Sequence, residues 1–328
     1  MAVGKIRFGI LGCGRITRRG LIPGILGSSQ AELAVLASQR PGVAEQLARE
    51  VGCPRTLGSY EALIDDPAID AVYIPTTGEE HAAWTLRAAA AGKHVLCEKS
   101  LALNVAEAER METACAKAGV ILQEAFMWRH HPRSKRAKEL VTSGAIGDLR
   151  LIVASFSFSI EPGDWRLDAA RGGGASWDVG CYGVNASRFF AGTEPSGIHG
   201  SARFNSRGAD TSMQIALNFG GQTLANIDCS FEAPYRCHVE LVGTEGTISL
   251  PNAFVPPLEG ATLNIRRGTD STALPETMTF EPANQYAEQV NDFCDSIAAG
   301  SLLAPAETGV ANMRVVEHAL KVARGEMR

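Results

Sequence analysis

No stretch of this chain approaches the ~20 consecutive apolar residues of a membrane-spanning helix, so no membrane partner is expected. Its 8 cysteines (Cys13, Cys53, Cys97, Cys115, Cys181, Cys229, Cys237 and Cys294) form no Cys-x-x-Cys pair and mostly fall in apolar runs. That usage suits reduced core thiols better than disulfides or zinc. An excess of positive charge is also missing. The 31 basic residues are mixed with 36 acidic ones, a formal net charge of −5, which disfavours nucleic acid as the main partner. Internal repeats and low-complexity tracts are absent. The N-terminus runs directly into a strand without a signal-peptide pattern, so the expected location is cytoplasmic. At 328 residues the chain exceeds a usual single domain and predicts two domains with large buried cores.

What is present starts at once. The run Lys5-Ile-Arg-Phe-Gly-Ile-Leu-Gly12-Cys-Gly14-Arg-Ile-Thr17 is a short apolar strand emptying into two glycines and then an amphipathic helix (Ile16, Leu21, Ile22, Ile25, Leu26). A dinucleotide pyrophosphate docks on such a turn. Gly12 can take backbone angles closed to other residues, Gly14 has no side chain to hold a phosphate away, and the helix start offers unpaired N–H groups. A second strand, Glu32 to Ser38, arrives at the distance a βαβ unit needs.

The end of that second strand lacks something too. An NAD-binding unit places Asp or Glu there for the adenosine ribose, a charge that would repel a 2′-phosphate. This chain reads Ser38-Gln39-Arg40. A hydroxyl that can donate and a guanidinium that can bind as a fork favour NADP over NAD.

Apolar strands at 5–11, 32–38, 53–57, 70–75, 93–97 and 120–124 alternate with helical patterns, clearest at 41–51, 79–91 and 104–118. The expected fold class is α/β, with an N-terminal Rossmann parallel sheet over residues 1–123. From 124 to 328 the rhythm predicts an α+β domain with an open, mostly antiparallel sheet, whose expected roles are substrate binding and oligomerisation. It begins with a helix at 133–143, a long alternating strand at 149–160 and a helix at 176–191. Strands follow near 197–206, 210–220, 223–232, 236–242 and 245–250, then a loose Pro- and Gly-rich stretch at 251–275 and helices near 284–299 and 306–325.

Ligands in open parallel sheets sit beyond the carboxyl ends of the strands. After the fourth strand, Thr76 and His81 flank a turn into a helix that Thr77 is expected to cap and that could line the cofactor. After the fifth come Glu98 and Lys99, and a lysine there is expected to point over the nicotinamide.

Here the chain resembles a known group. Gly12-Cys-Gly-Arg15-Ile16, Ala71-Val-Tyr-Ile74, Gly92-Lys-His-Val-Leu-Cys-Glu-Lys99, Glu124-Ala-Phe-Met-Trp-Arg-His-His-Pro132 and Gly172-Gly-Gly-Ala-Ser-Trp-Asp-Val-Gly-Cys-Tyr182 resemble motifs of the glucose-fructose oxidoreductase and inositol dehydrogenase family across essentially the whole chain. The resemblance implies a Rossmann domain followed by a domain whose open sheet often forms a dimer interface. It places Lys99 at the family's Glu-Lys-Pro lysine, and Asp178 and Tyr182 at its second-domain catalytic pair. Two positions depart from the pattern. Ser100 replaces a proline that is often cis, and a cis bond before serine costs about 3 kcal/mol more than trans. The loop carrying Lys99 is therefore expected to differ. Thr17 stands where alanine or glycine is usual, which predicts looser packing of the first helix on its strand.

The chemistry can also be argued from the residues. Oxidising an alcohol requires a base within hydrogen-bond reach of the hydroxyl while hydride leaves the same carbon. Tyr182 is the candidate, since an ammonium such as Lys99 nearby favours the phenolate. Asp178 lies four residues earlier on the same predicted helix face, where it could hold the substrate or tune its neighbours. Gly172, Gly173 and Gly174 allow close backbone approach. Trp128 and Arg129 are expected to offer a stacking ring and donors to a polyol, and Trp165 and Arg166 to close over the substrate. The pair His130-His131 invites a metal reading, but adjacent histidines diverge and hydride transfer needs no metal.

The expected function is NADP-dependent hydride transfer at a sugar or polyol hydroxyl, with an aldose 1-dehydrogenase leading. The alternatives are a ketosugar reductase, nucleotide-linked or not, a trans-dihydrodiol dehydrogenase, and, from another class, a non-catalytic NADP-binding regulator. A homodimer or higher homo-oligomer is expected, because an open sheet needs a partner to cover an apolar face.

Overall fold

Alternating apolar runs and helical patterns in the first third of the chain build a parallel sheet. The computed structural model describes residues 4–270, 272–303 and 309–327. Its first compact unit comprises Met1–His130 together with Asn284–Val310. The strands are β1 (Ile6–Leu11), β2 (Ala31–Ala37), β3 (Thr56–Leu57), β4 (Ala71–Ile74), β5 (His94–Cys97) and β6 (Leu122–Glu124). They lie in the order β3-β2-β1-β4-β5-β6, every neighbouring pair parallel. The order reverses between β1 and β4, so ligands are expected beyond the carboxyl ends of those strands. The connecting helices are α1 (Ile22–Gly27), α2 (Val43–Val51), α3 (Tyr60–Ile64), α4 (Gly78–Ala90) and α5 (Val105–Ala118). Phe8, Ile10, Leu33, Leu36, Tyr73 and Leu96 form the core with Leu21, Ile22 and Ile25.

That core also takes residues from far downstream. Val290, Phe293 and Cys294, on a helix over Gln285–Ala299, pack in the same cluster. Ser28 donates to Asn291 Oδ1 at 2.7 Å, and the Phe8 and Phe293 rings meet at 5.9 Å. Gly24 lets the helix approach, since a Cβ there would stand 2.8 Å from the Tyr286 backbone. The expected boundary at 123/124 leaves this segment in the second domain. An amphipathic pattern specifies a buried face but not the sheet that buries it.

The second unit comprises His131–Ala283 and Ala311–Arg328. It contains α6 (Pro132–Thr142), β7 (Leu149–Ser157), α7 (Cys181–Ala191), β8 (Gly197–Phe204), β9 (Asp210–Phe219), β10 (Thr223–Ser230), β11 (Arg236–Gly243), β12 (Gly246–Pro251), β13 (Thr262–Arg267) and β14 (Glu276–Thr279). The downstream helix just described is α8, and α9 spans Gly309–Ala323, so the first residues expected of that last helix lie outside the described residues. The eight strands run β14-β13-β12-β11-β7-β10-β9-β8, antiparallel except at β7–β10. β13 and β14 were not anticipated in or beyond the looser stretch. The short alternation of Leu263 and Ile265, both buried, was the available signal.

Helix α7 lies on one face, where a Cβ on Gly183 would stand 2.4 Å from Ile227 Cγ2. The opposite face is mixed rather than apolar as expected. Arg236 bonds both oxygens of Asp228 and the Ser155 hydroxyl, beside the half-exposed Glu240 and the exposed Asn226 and Leu224. Among the described residues no helix is long and apolar enough to cross a membrane.

Candidate active site

At the end of β1 the chain turns sharply. Gly12 has φ +127°, in the region that favours glycine, and its N–H donates to Ala37 O at 3.0 Å, which ties the turn to the end of β2. A Cβ on Gly14 would meet nothing within 4 Å, so the backbone there is open to a ligand. Thr17 is fully buried and donates its hydroxyl to Gly12 O at 2.9 Å. Residues Thr17–Leu21 are wound as a wide turn in which Ile22 N–H reaches Thr17 O, five residues back. Arg15 is exposed and Ile16 half-buried at the start of this turn, and Arg18 pairs with Glu50. Ser38 Oγ accepts from Arg40 N–H at 3.1 Å. The hydroxyl proton of Ser38 thus remains available to donate, and Arg40 is exposed beside it.

The loop after β5 is held at several points. Glu98 N–H donates to Ile74 O at 3.0 Å, and its Oε1 accepts from the Tyr73 hydroxyl at 2.5 Å. Lys99 N–H points to Glu98 Oε2 at 3.3 Å, and the Lys99–Ser100 peptide is cis. Leu101 N–H donates to Glu124 Oε1 at 2.9 Å. Lys99 is half-buried. Burial pushes the Tyr73 phenol well above its ordinary range, so this hydroxyl stays protonated as the donor to Glu98.

His81 differs from its expected role. It is 2% exposed, and both ring nitrogens face main-chain carbonyls, so no edge remains for a cofactor. Burial draws its pKa down, and the three carbonyls oppose the shift. Glu98, also expected at the cofactor, directs its carboxylate to Tyr73 and to its own loop. Thr76 is half-buried beyond β4, with its Oγ1 shielded and unpartnered among the described residues. Thr77 precedes α4 in an extended conformation but makes no side-chain cap bond, contrary to expectation.

In the second unit the glycine cluster sets the start of the helix bearing Asp178 and Tyr182. Gly174 has φ +138°, and a Cβ there would lie 2.3 Å from Asp210 Oδ1. Asp210, 2% exposed at the start of β9, accepts from Ser176 N–H at 2.7 Å and from Ser176 Oγ at 2.9 Å. It therefore caps the wide turn Ser176–Gly180, in which Cys181 N–H reaches Ser176 O before α7 continues. Asp178 and Tyr182 follow each other across this junction rather than along a regular helix. The Tyr182 ring packs at 5.5 Å from Phe156 and 5.2 Å from Phe254.

Arg166 does not stand open toward a substrate as expected. Its Nε donates to Asp178 Oδ2 at 2.8 Å, a second nitrogen lies 3.3 Å from each Asp164 oxygen, and the guanidinium sits 4.9 Å over the half-buried Trp165 ring. Burial opposes its charge, and Asp178 and Asp164 more than offset that, so its pKa is raised. A Cβ on Gly173 would stand 2.5 Å from Arg166 O, so this loop is packed against the glycine cluster.

Trp128 and Arg129 are corrected too. Trp128 is 1% exposed, a core ring rather than a stacking platform, and Arg129 is 6% exposed and lines a cavity between β6, α5 and α8. The adjacent histidines diverge. His130 Nδ1 lies 2.6 Å from Asp292 Oδ2, whereas His131 Nδ1 accepts Arg133 N–H at 3.0 Å as the cap of α6. No cluster of three or more metal-ligating side chains occurs among the described residues. Asp210 and Tyr73 escaped the sequence reading. An acid opening an alternating strand was the sole hint of Asp210.

Comparison with known proteins agrees with this geometry. Residues 6–126 match a family model described as an oxidoreductase family with an NAD-binding Rossmann fold, and residues 134–249 match the GFO/IDH/MocA C-terminal domain. D-xylose 1-dehydrogenase (NADP(+)) 2 of Haloferax volcanii is 37% identical over 314 residues, 94% of this chain and 95% of that protein. The aldose-aldose oxidoreductase of Caulobacter crescentus, solved with glycerol, superposes with a TM-score of 0.89 at 29% identity over 98% of each chain. A 3-ketoreductase from Actinomadura kijaniata, solved with NADP and TDP-benzene, gives 0.88 at 28% identity over 96% of each. With both of its halves matched and near-complete coverage by a relative at 37% identity, the chain belongs to the GFO/IDH/MocA family of oxidoreductases.

Proposed function

We propose that this protein is an NADP-dependent sugar dehydrogenase, an aldose 1-dehydrogenase in the first instance. The observation that carries the reading is Lys99, on a loop pinned by Ile74, Tyr73 and Glu124 beyond the carboxyl end of β5. The residues fit the cofactor. Gly12 turns the chain at φ +127° and Gly14 leaves the backbone open to a pyrophosphate, Thr76 offers a shielded hydroxyl with no partner among the described residues, and β2 ends on Ser38 and Arg40 with no carboxylate to repel a 2′-phosphate. Bound there, NADP would accept or return hydride. Lys99 orients the reacting hydroxyl, and Tyr182 takes its proton. Asp178, fixed by Arg166, accepts a substrate hydrogen bond. The xylose dehydrogenase supports an aldose. The A. kijaniata enzyme supports a second reading, the reverse transfer to a ketosugar.

The test is the absorbance of reduced nicotinamide with aldoses, inositols and ketosugars. Turnover of an aldose with NADP, cut to a measurable residue at least about a thousandfold below the parent in Lys99→Ala and at least about a hundredfold in Tyr182→Phe, is expected. No turnover of any polyol or ketosugar would refute the reading. Unchanged turnover in both variants would refute the residue roles.

A further inference from the structure

Two loops deliver three carbonyl oxygens to one imidazole. His81 lies in the first turn of α4 with Nε2 3.0 Å from Thr76 O and Nδ1 3.1 Å from Ser100 O and 3.2 Å from Leu101 O. Thr76 leaves β4, and Ser100 follows Lys99 directly. A neutral ring carries one N–H, so it serves one side and turns a lone pair to the other. The two carbonyls on the Nδ1 side make that the better site for the proton. The Lys99 loop is then gripped from opposite directions, with Glu124 accepting from Leu101 N–H and His81 donating to Leu101 O and Ser100 O.

Resting on the reading that Lys99 acts at the reacting hydroxyl, we propose that His81 is a positioning residue that fixes Lys99 by holding the Ser100 and Leu101 carbonyls through Nδ1. It touches neither cofactor nor substrate. A displacement of the loop by even about 1 Å costs rate far more than it costs binding.

Asparagine and glutamine separate the two edges of the ring, because the amide nitrogen of Asn replaces Nδ1 and that of Gln replaces Nε2. The full-length protein is measured by hydrogen exchange of residues 98–102, by NADPH fluorescence titration, and by turnover of the aldose processed fastest. His81→Gln is expected to raise exchange in 98–102 and to lower kcat, each by about tenfold, with NADPH affinity within about twofold. His81→Asn rescues both. In a Lys99→Ala background, His81→Gln should add no further loss of kcat.

Equal behaviour of the Asn and Gln variants, or exchange rising evenly through the first unit, overturns the proposal, as do fully additive losses. If Lys99→Ala turns over like the parent protein, the role of Lys99 at the reacting hydroxyl fails instead, and the exchange comparison still decides whether His81 holds the loop. Protected exchange in β1 certifies that each variant is folded.

Discussion

Removing the Asp210 carboxylate should loosen the helix that bears Asp178 and Tyr182. In Asp210→Ala the buried Ser176 N–H loses a charged acceptor at 2.7 Å and the Ser176 hydroxyl loses one at 2.9 Å. A hydrogen bond to a charged group contributes about 1.5–3 kcal/mol and a second, hydroxyl bond about 1. Against that, Asp210 is 2% exposed and its pKa is raised by desolvation, so deleting it recovers a cost of order 1 kcal/mol. The net loss is about 1.5–3 kcal/mol. Ser176→Ala removes one bond and leaves the backbone one, so it should lose about 1 kcal/mol. Urea unfolding followed by intrinsic fluorescence measures both. At temperatures where both variants are folded, kcat/KM should fall about tenfold or more in Asp210→Ala, because the wide turn that carries Asp178 loses its anchor. An Asp210→Ala protein that unfolds at the parent urea concentration and turns over at the parent rate would refute the reasoning.

Cofactor choice gives a second prediction. Arg40→Ala should weaken NADP binding about tenfold, the low end for a charge-assisted bond because Arg40 is exposed, and leave NAD binding unchanged. Ser38→Asp should invert the preference, and titrations of both cofactors at two ionic strengths check this, an equal loss for NAD and NADP counting against it. The third concerns pH. Burial, with Arg133 contributing, lowers the His131 pKa to about 4, below the usual ~6.5. The unfolded chain therefore binds more protons between these values, and the stability present above about pH 6.5 drains away as pH falls toward 4, by at most about 3 kcal/mol. His131→Asn, which can still cap α6, should flatten urea midpoints over that window relative to the parent, and identical slopes would exclude His131 as the source.

Much of the architecture was legible. Alternating strands and helices up to Glu124 announce the parallel sheet, and Gly12, Gly14, Ser38 and Arg40 stand at its strand ends, because local periodicity and strand-end chemistry are encoded in short windows. Properties that depend on distant partners were not. The same Arg166 that reads as a substrate ligand is committed to Asp178 and Asp164, and Trp128, which reads as a platform, is buried. His81 looked like a cofactor residue from its position, but its partners Ser100 and Leu101 lie 19 and 20 residues away. Side-chain destinations of this kind are fixed by tertiary packing, and nothing in a linear pattern separates a ring facing a ligand from a ring facing carbonyls.

The late arrival of α8 in the first core bears on how this molecule is made. Ser28 finds Asn291 across 263 positions, and Phe8 waits for Phe293. During synthesis the dinucleotide half is exposed to water along this seam until residues 285–299 have left the ribosome. Closing so long a loop adds little entropy beyond a shorter one, so the delay is kinetic rather than thermodynamic. A fragment ending at His130 therefore lacks the lid of its own hydrophobic interior, and neither half can be exchanged as a single contiguous cassette.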